Sequence, residues 1–319
     1  MLVIVIVSWN VKVLLEQCIW SLIHNATTLA SQAIVVVDNH SNDGTVEAIR
    51  TIFSGHDTVE VIASETNVGF TGGNNIGLKR AAELIPDLLR SESYALLLNP
   101  DTIVSPGCLD QLIGYATAHP DVGIVGPQLR YGDGSIQSSR RRFPTLQTLM
   151  FESTWLQSMA PKAILDAYYF ADVSSNEPCA VDWLVGAALL VRFVVYEQCG
   201  GLDSMSFFMY CEEIDWCLRI KQEGWLIVYY PEAHITHFEG ASSVQASTNR
   251  MCQFNISKVH YARKHIGIWQ ARILRSWLMF QFMVQTIIER IKLVIGNKPD
   301  LRSSRLRDYR TVIKSLANA

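Results

Sequence analysis

Three carboxylates crowd into four positions at Glu212-Glu213-Ile214-Asp215, directly after the aromatic run Phe207-Phe208-Met209-Tyr210. Like charges this close raise one another's pKa, which suits a general base working near neutrality. An acidic first helical turn stabilised by the macrodipole would look the same, although the aromatic run argues against a purely solvated face. A fourth carboxylate, Asp101, follows Leu96-Leu97-Leu98-Asn99-Pro100, where proline ends an apolar run and leaves Asp101 protruding from its tip. A hard divalent cation that bridges two phosphates needs only one or two protein carboxylates and keeps its waters. A strand-to-helix turn, with Ser105-Pro106 opening the next helix, accounts for these residues equally well.

Asp38 ends the apolar run Ile34-Val35-Val36-Val37 and is followed by the polar turn Asn39-His40-Ser41-Asn42-Asp43-Gly44. A carboxylate fused to apolar residues must be partnered or face a ligand. At a strand end it could accept from the N3–H of a pyrimidine base, whereas Asp43 reads as turn and cap chemistry. The run Asn67-Val68-Gly69-Phe70-Thr71-Gly72-Gly73-Asn74-Asn75-Ile76-Gly77 lacks dinucleotide-fingerprint spacing, and no GxxxxGK[ST] occurs in the chain. A glycine-rich helix start still offers backbone N–H groups to phosphate or ribose; a plain turn is the alternative. His234 and His237, three apart on a strand, face opposite sides, so at most one serves as a ligand and a lone histidine is otherwise structural.

These residues need a scaffold, and the first half of the chain supplies one. Short β-branched runs at 3–7, 34–37, 59–62 and 94–98 are expected as buried strands, each with a polar turn after it. Helical spacing at 13–24, 45–53 and 75–84 fills the gaps. This alternation predicts an α/β fold with a mostly parallel sheet covered on both faces and ligands at the strands' carboxyl ends. After 122–127 the pattern changes: Tyr131-Gly132-Asp133-Gly134-Ser135 predicts a hairpin turn, Arg140-Arg141-Arg142 follows, and few signals stand out before about 180. Then 182–191 reads as a strand, 212–222 as a helix ended near Gly224, and 225–230 as a further strand. From about 250 the pattern is helical and basic.

With 319 residues, 49% hydrophobic and 18% charged, the chain is one large domain or two small ones, and disordered, collagen-like and coiled-coil classes are excluded. Seven cysteines without a CxxC pair argue against a zinc knuckle or a disulfide framework and suit a reducing cytoplasm. The apolar start at 2–7 has no basic n-region or cleavage site and is expected as a strand, not a signal peptide. Net charge is divided: residues 1–257 are net −13, whereas 258–319 carry 13 Lys and Arg against 3 Asp and Glu, net +10. In that tail Trp269, Ile273, Trp277, Phe280, Val284, Ile287, Ile291 and Ile295 fall on one helical stripe about 80° wide. The longest uncharged stretch there, 276–288, is short of the ~20 residues that span a bilayer. A helix docked on the protein's own core would show such a stripe; the basic charge and two Trp on it instead predict a helix lying in the interface of an anionic membrane.

Taken together and in order, the motifs resemble glycosyltransferase family 2, inverting enzymes of GT-A type, and most of all its bacterial rhamnosyltransferase group of surface-polysaccharide synthesis. The resemblance covers about residues 2–245. It rests on Val-Ser8-Trp-Asn10, Val-Asp38-Asn-x-Ser-x-Asp-Gly-Thr, Asn67-x-Gly69-Phe-x-x-x-Asn74-x-x-Gly, Asn99-Pro100-Asp101, Gly186 in Val-Gly-Ala, Gly200-Gly201-Leu202-Asp203, the Glu-Glu-Ile-Asp helix, and His237 before Gly240 and Ser242. It implies that Ser8 and Asp38 bind the base, with Asn10 in the same start motif, and that Asn67, Gly69 and Asn74 line the ribose-diphosphate. It implies that Asp101 holds Mg²⁺ or Mn²⁺ with Asn99 in place of the family's first carboxylate, and that His237 approaches the metal. Asp182 and Trp183 would precede the Gly186 loop facing the donor sugar. Where the family writes Glu-Asp-x-Asp this chain has Glu212-Glu213-Ile214-Asp215, so Glu213 takes the general-base position with one extra methylene and Asp215 is the other candidate.

The expected organisation is a glycosyltransferase domain at 1–250, with a nucleotide-sugar half at 1–128 and an acceptor half at 129–250, followed by a basic helical, membrane-proximal appendix at 251–319. The expected reaction moves a sugar from a dTDP- or UDP-linked donor, rhamnose from dTDP-rhamnose first among them, to a glycan or polyprenyl-linked acceptor at the cytoplasmic face of the plasma membrane. No nucleic acid is implied. Two other classes fit in part. A nucleotidyltransferase making sugar nucleotides shares the sheet style but needs a basic, glycine-rich N-terminal phosphate loop, and 8–12 has no glycine. A catalytically silent nucleotide-sugar-binding subunit would tolerate Asn99 and Glu213.

Overall fold

The computed structural model describes residues 1–238 and 247–319. Its eleven strands, among the described residues, are β1 (Leu2–Ser8), β2 (Gln32–Asp38), β3 (Val59–Ala63), β4 (Tyr94–Leu98), β5 (Thr102–Val104), β6 (Val122–Arg130), β7 (Arg140–Arg141), β8 (Cys179–Ala180), β9 (Trp183–Leu184), β10 (Ala188–Arg192) and β11 (Leu226–His237). The α-helices are α1 (Lys12–His24), α2 (Thr45–Ile52), α3 (Gly69–Leu84), α4 (Cys108–Ala118), α5 (Leu146–Phe151), α6 (Lys162–Tyr168), α7 (Phe193–Cys199), α8 (Glu212–Gln222), α9 (Ser247–Tyr261), α10 (Ile268–Val294) and α11 (Pro299–Asn318).

Eight strands run in the order β3-β2-β1-β4-β10-β6-β11-β5, with β8 added on β11; β7 and β9 form a separate ribbon. The β3-β2-β1-β4 half is parallel, and β10 lies antiparallel to both β4 and β6. Continuous Val, Ile and Leu runs make β1 and β4 buried on both faces, as a sheet with helices on each side requires. The core gathers β1, β2 and β4 with Leu15, Ile19 and Leu22 of α1 and Leu109, Leu112 and Ile113 of α4.

Three elements differ from what the pattern predicts. Helix α3 begins at Gly69 rather than near residue 75, so the glycine-rich segment is its first turns and not a loop before it. The reason is packing against β1: a Cβ on Gly77 would stand 2.1 Å from Val5 Cγ1, and one on Gly73 2.7 Å from Val7 Cγ1. Helix and strand approach here at a distance only glycine allows. The strand expected over 182–191 is broken at 185–187, where a turn carries Gly186 out of the ladder. Finally, β11 continues to His237 with a register irregularity between Tyr230 and His234. The turn at 131–135 forms as expected, with Tyr131 N–H donating to the Ser135 carbonyl at 2.9 Å.

The chain divides into two compact units. The first holds the sheet: Met1–Phe143, Tyr169–Ser204 and the segment from Glu212 through β11. The second joins Pro144–Tyr168 and Met205–Cys211 to the C-terminal helices. Within it, Lys258 is buried and pairs with Glu152 at 3.3 Å, and Glu289 of α10 pairs with Arg302 of α11 at 2.8 Å. Helix α10 buries Ala271, Leu274, Leu278 and Phe282. Most of the apolar stripe from Trp269 to Ile295 is left exposed, Trp269 at 67%, Ile287 at 58% and Ile295 at 75%, whereas Trp277 on the same stripe is docked, packing on Phe151 and donating Nε1–H to the Met150 carbonyl at 2.9 Å. No helix among the described residues is long and apolar enough to cross a membrane.

Candidate active site

The carboxyl ends of β1 and β2 lie side by side, with Ser8 opposite Asp38. Buried Asp38 accepts from Ser8 Oγ on Oδ1 (3.3 Å) and from Ser41 N–H on Oδ2 (2.9 Å). Those two bonds explain its burial and still leave lone pairs for an incoming N–H, since a carboxylate offers about four acceptor sites. Asn10, in left-handed backbone (φ 54°), donates its N–H to Ser41 Oγ and accepts from Asn42 N–H, both at 2.8 Å. Ser8, Asn10 and Asp38 are thus one cluster. Asn39 links it to α3 by donating to the Gly69 carbonyl (2.9 Å) and accepting from Val68 N–H (2.8 Å). Just before α3 Asn67 is exposed and accepts from Gly69 N–H, and within the helix buried Asn74 donates to the Phe70 carbonyl at 2.9 Å.

The second cluster sits past β4. Asn99 N–H donates to the Ala187 carbonyl (2.9 Å), which ties the Asn99-Pro100-Asp101 turn to the Gly186 loop, and Phe238 N–H donates to the Asp101 carbonyl (2.9 Å). His237, the last residue of β11, places Nε2 3.4 Å from Asp101 Oδ1 and 3.5 Å from Asn99 Nδ2. Asp101 and His237 are buried, and Asn99 Oδ1 is a buried atom with no hydrogen-bond partner among the described residues. Two buried side chains, one just after β4 and one at the end of β11, thus bring an oxygen and a nitrogen donor within 3.4 Å of each other, with Asn99 beside them. The oxygen and nitrogen donors therefore fit Mg²⁺ or Mn²⁺, which takes one or two carboxylates and completes its shell with phosphate and water. Among the described residues no group of three His, Cys, Asp or Glu converges, so such a cation would draw on Asn99 and substrate oxygens as well.

The acidic turn opens α8. Two consecutive left-handed residues, Tyr210 (φ 70°) and Cys211 (φ 66°), precede it, a strain of about 1–3 kcal/mol each that tends to gather at functional sites. The three carboxylates then meet different surroundings. Asp215 is fully buried and accepts from Arg219 Nε at 3.0 Å; Arg219 also donates to the Cys199 and Gly201 carbonyls at 2.6 and 2.7 Å. Asp215 thereby anchors the 199–201 turn. Glu212 is buried, and desolvation with the adjacent Glu213 charge holds its carboxyl well above the usual range. Glu213 is half-buried; its Oε2 is shielded from solvent without a hydrogen-bond partner among the described residues, and burial pushes its carboxyl up to about 7. Its stem runs along the bare face of Gly186, where a Cβ would lie 3.6 Å from Glu213 Cβ and 3.9 Å from Cδ.

Asp182 and Trp183 are engaged in the ribbon that leads to Gly186. Asp182 accepts from Lys221 Nζ (2.6 Å) and Phe143 N–H (2.9 Å), and buried Trp183 donates Nε1–H to the Arg142 carbonyl (3.0 Å). Gly240 and Ser242, which complete the last motif, lie outside the described residues. Three residues that motif spacing did not single out are Asn39, Arg219 and Gln137. Arg219 sits one helical turn after Asp215, a pairing legible in spacing. Gln137 accepts from His237 Nδ1 at 2.9 Å across 100 residues of chain, which no local rule reveals.

Residues 3–171 match the model of the family described as Glycosyl transferase family 2. A Mycobacterium tuberculosis protein, named N-acetylglucosaminyl-diphospho-decaprenol L-rhamnosyltransferase, is 28% identical over 277 residues, covering 83% of this chain and 89% of its own. Among solved structures, GalNAc-T7 with UDP, GalNAc and Mn²⁺ aligns with a TM-score of 0.58 at 15% identity; it covers 83% of this chain, which spans about half (51%) of that one. The Pyrobaculum calidifontis mannosyltransferase PcManGT with GDP-Man and Mn²⁺ aligns at 0.56 with 13% identity, covering 99% of this chain and 85% of its own. At such identities the two structures speak for fold alone, and the mixed sheet with flanking helices is of the GT-A type that the motifs resemble. The family match takes in Ser8, Asp38, the glycine-rich helix and Asn99-Pro100-Asp101, more than half of the chain, and on it the chain belongs to glycosyltransferase family 2 and is a glycosyltransferase.

Proposed function

We propose that this enzyme transfers a sugar, rhamnose from dTDP-rhamnose first among the candidates and a UDP-linked sugar next, to a hydroxyl of a polyprenyl-linked saccharide, with inversion at the anomeric carbon. The observation that carries the reading is Glu213: a carboxyl poised to titrate at about 7, with one oxygen buried and unpaired among the described residues, on the loop side of Gly186. A base of that pKa is half-ionised near neutrality and matched to taking a hydroxyl proton. Glu213 would accept that proton while the acceptor oxygen attacks the anomeric carbon from the face opposite the diphosphate. The bond to the diphosphate then breaks and its electron pair goes to the leaving phosphate oxygen. Asp215, committed to Arg219, suits an anchoring role better than a base.

Ser8, Asn10 and Asp38 would receive the base, and Asn67, Gly69 and Asn74 would border the ribose-diphosphate. Asn99, Asp101 and His237 would hold Mg²⁺ or Mn²⁺, which when bound supplies charge neutralisation at the leaving diphosphate. Asp182 and Trp183 would fix the ribbon, and through it Gly186, facing the donor sugar. A diphospho-decaprenol acceptor in the name of the M. tuberculosis relative supports a lipid-linked acceptor here. The exposed stripe of α10, with exposed Arg272 and Arg290 on the same helix, supports docking in the interface of an anionic membrane at the cytoplasmic face.

The test is transfer from dTDP-rhamnose or UDP-sugars to a GlcNAc-diphospho-polyprenol, with and without EDTA, and the anomeric configuration of the product read by NMR. An inverted linkage lost on chelation is expected. A retained configuration, or donor cleavage indifferent to EDTA, refutes the mechanism, and failure with every polyprenyl acceptor alongside transfer to free saccharides refutes the acceptor assignment.

A further inference from the structure

We infer that Gln137 is the positioning residue that turns the Nε2 of His237 toward the Asn99–Asp101 cluster and so makes it a cation ligand; the inference rests on the metal reading above. Gln137 returns from the hairpin after β6, its N–H donating to the Leu129 carbonyl at 2.8 Å, and both it and His237 are buried. The backbone is therefore fixed before the side chain is considered.

The hydrogen bond has only one polarity. An amide oxygen can accept but not donate, so at 2.9 Å from Gln137 Oε1 the Nδ1 of His237 carries the ring hydrogen. In that tautomer the lone pair is on Nε2, the atom that lies 3.4 Å from Asp101 Oδ1 and 3.5 Å from Asn99 Nδ2. Neither of those neighbours fixes the tautomer by itself, since a carboxylate would draw a hydrogen and an amide N–H a lone pair. Gln137 decides between them. It does for the imidazole what an outer acceptor does in known histidine–metal sites: it sets ring orientation and tautomer, and its loss typically costs about 10–100-fold in metal affinity. Gln137 touches no reacting atom in this scheme and acts only through His237.

The test is a titration of the full chain with Mn²⁺ in the presence of UDP or dTDP, reading free Mn²⁺ by EPR, alongside thermal unfolding of each variant. Gln137→Met keeps length but offers no comparable acceptor and should weaken Mn²⁺ binding about 10–100-fold. Gln137→Glu restores an acceptor at Nδ1 and should bring affinity back to within a few-fold of the starting protein. Gln137→Asn, polar but one methylene too short, should lose affinity like Met, which keeps the question answerable where Met fails to fold. Unchanged Mn²⁺ affinity in both Met and Asn variants overturns the inference, as does an equal loss in Met and Glu. Failure of the metal reading is distinguishable: there the unsubstituted chain and His237→Ala bind Mn²⁺ alike, and the role given to Gln137 falls with it.

Discussion

Replacing Glu213 by Gln separates chemistry from stability in opposite directions, and both follow from one buried carboxyl. The amide keeps shape and hydrogen-bonding capacity but cannot take a proton, and loss of a general base typically costs about 10²–10⁴-fold in kcat, or about 3–5 kcal/mol in the barrier. Burial pushes the Glu213 carboxyl from 4.5 to about 7. The ionised fraction therefore climbs from about one-tenth at pH 6 to about nine-tenths at pH 8, and kcat should rise about tenfold across that interval. In the Gln variant this limb should vanish. Stability runs the other way. A carboxyl whose folded pKa is raised leaves the fold at its most stable below the unfolded value, and stability is lost as pH rises through about 7. The always-neutral Gln variant escapes that loss, so at pH 8 it should be more stable by up to about 3 kcal/mol, and at pH 4 no more stable than the parent. Steady-state rates and urea unfolding at pH 4, 6 and 8 read both effects. A Gln variant that keeps the acidic limb, or an Asp215→Asn enzyme that is dead while Glu213→Gln works, refutes the assignment of the base.

Asp101→Ala should abolish metal-dependent transfer at a cost of several kcal/mol in transition-state stabilisation while circular dichroism stays native; near-parental rates with Mn²⁺ would count against it. Asp215→Asn removes the partner of Arg219 beneath the 199–201 turn and should destabilise the fold by about 3 kcal/mol in chemical denaturation, with residual activity exceeding that of Glu213→Gln. Gly77→Ala gains about 0.5–1 kcal/mol of helix propensity but forces a Cβ to 2.1 Å from Val5, and the overpacking cost of about 1–3 kcal/mol should win, lowering Tm. Joint replacement of Trp269, Ile287 and Ile291 by Ser touches only exposed positions of α10, so Tm should hold while sedimentation with phosphatidylglycerol vesicles at low salt disappears; vesicle binding that survives the change removes α10 from the interface.

Strands β1, β2 and β4 of the parallel half were legible because they are largely buried on both faces and so spell apolar runs, while β3 at the edge, expected as buried, is only partly covered. Residues 94–98 match β4 end for end, and 212–222 match α8. What escaped was set by distance. Spacing starts the helix only at 75 and leaves Gly73 before it, because the atoms that demand glycine at Gly73 and Gly77, those of Val7 and Val5, are more than sixty residues away. The break at 185–187 escaped for a like reason: an apolar run looks continuous until Gly186 is needed as a bare wall for Glu213. In α10 periodicity found a stripe, yet helix packing buried Leu278 and Phe282 on another arc, since a helix with two apolar faces gives no local sign of which one its neighbours will cover.

The acidic turn carries that limit to the site itself. Three carboxylates within four residues are nearly equivalent as a string, and only the fold makes them unlike. Arg219 draws Asp215 into a buried pair that ties α8 to the 199–201 turn. Desolvation, with the Glu213 charge beside it, holds the Glu212 carboxyl well above the usual range. Burial pushes Glu213 up to about 7, where a proton acceptor for a hydroxyl is most useful. Environments that push neighbouring titratable groups apart assign acid, base and anchor in active sites generally. The extra methylene of Glu213 relative to the aspartate its family usually places there lengthens the reach from α8. The bare face of Gly186 lies beneath that longer stem, where a Cβ would stand 3.6 Å from Glu213 Cβ.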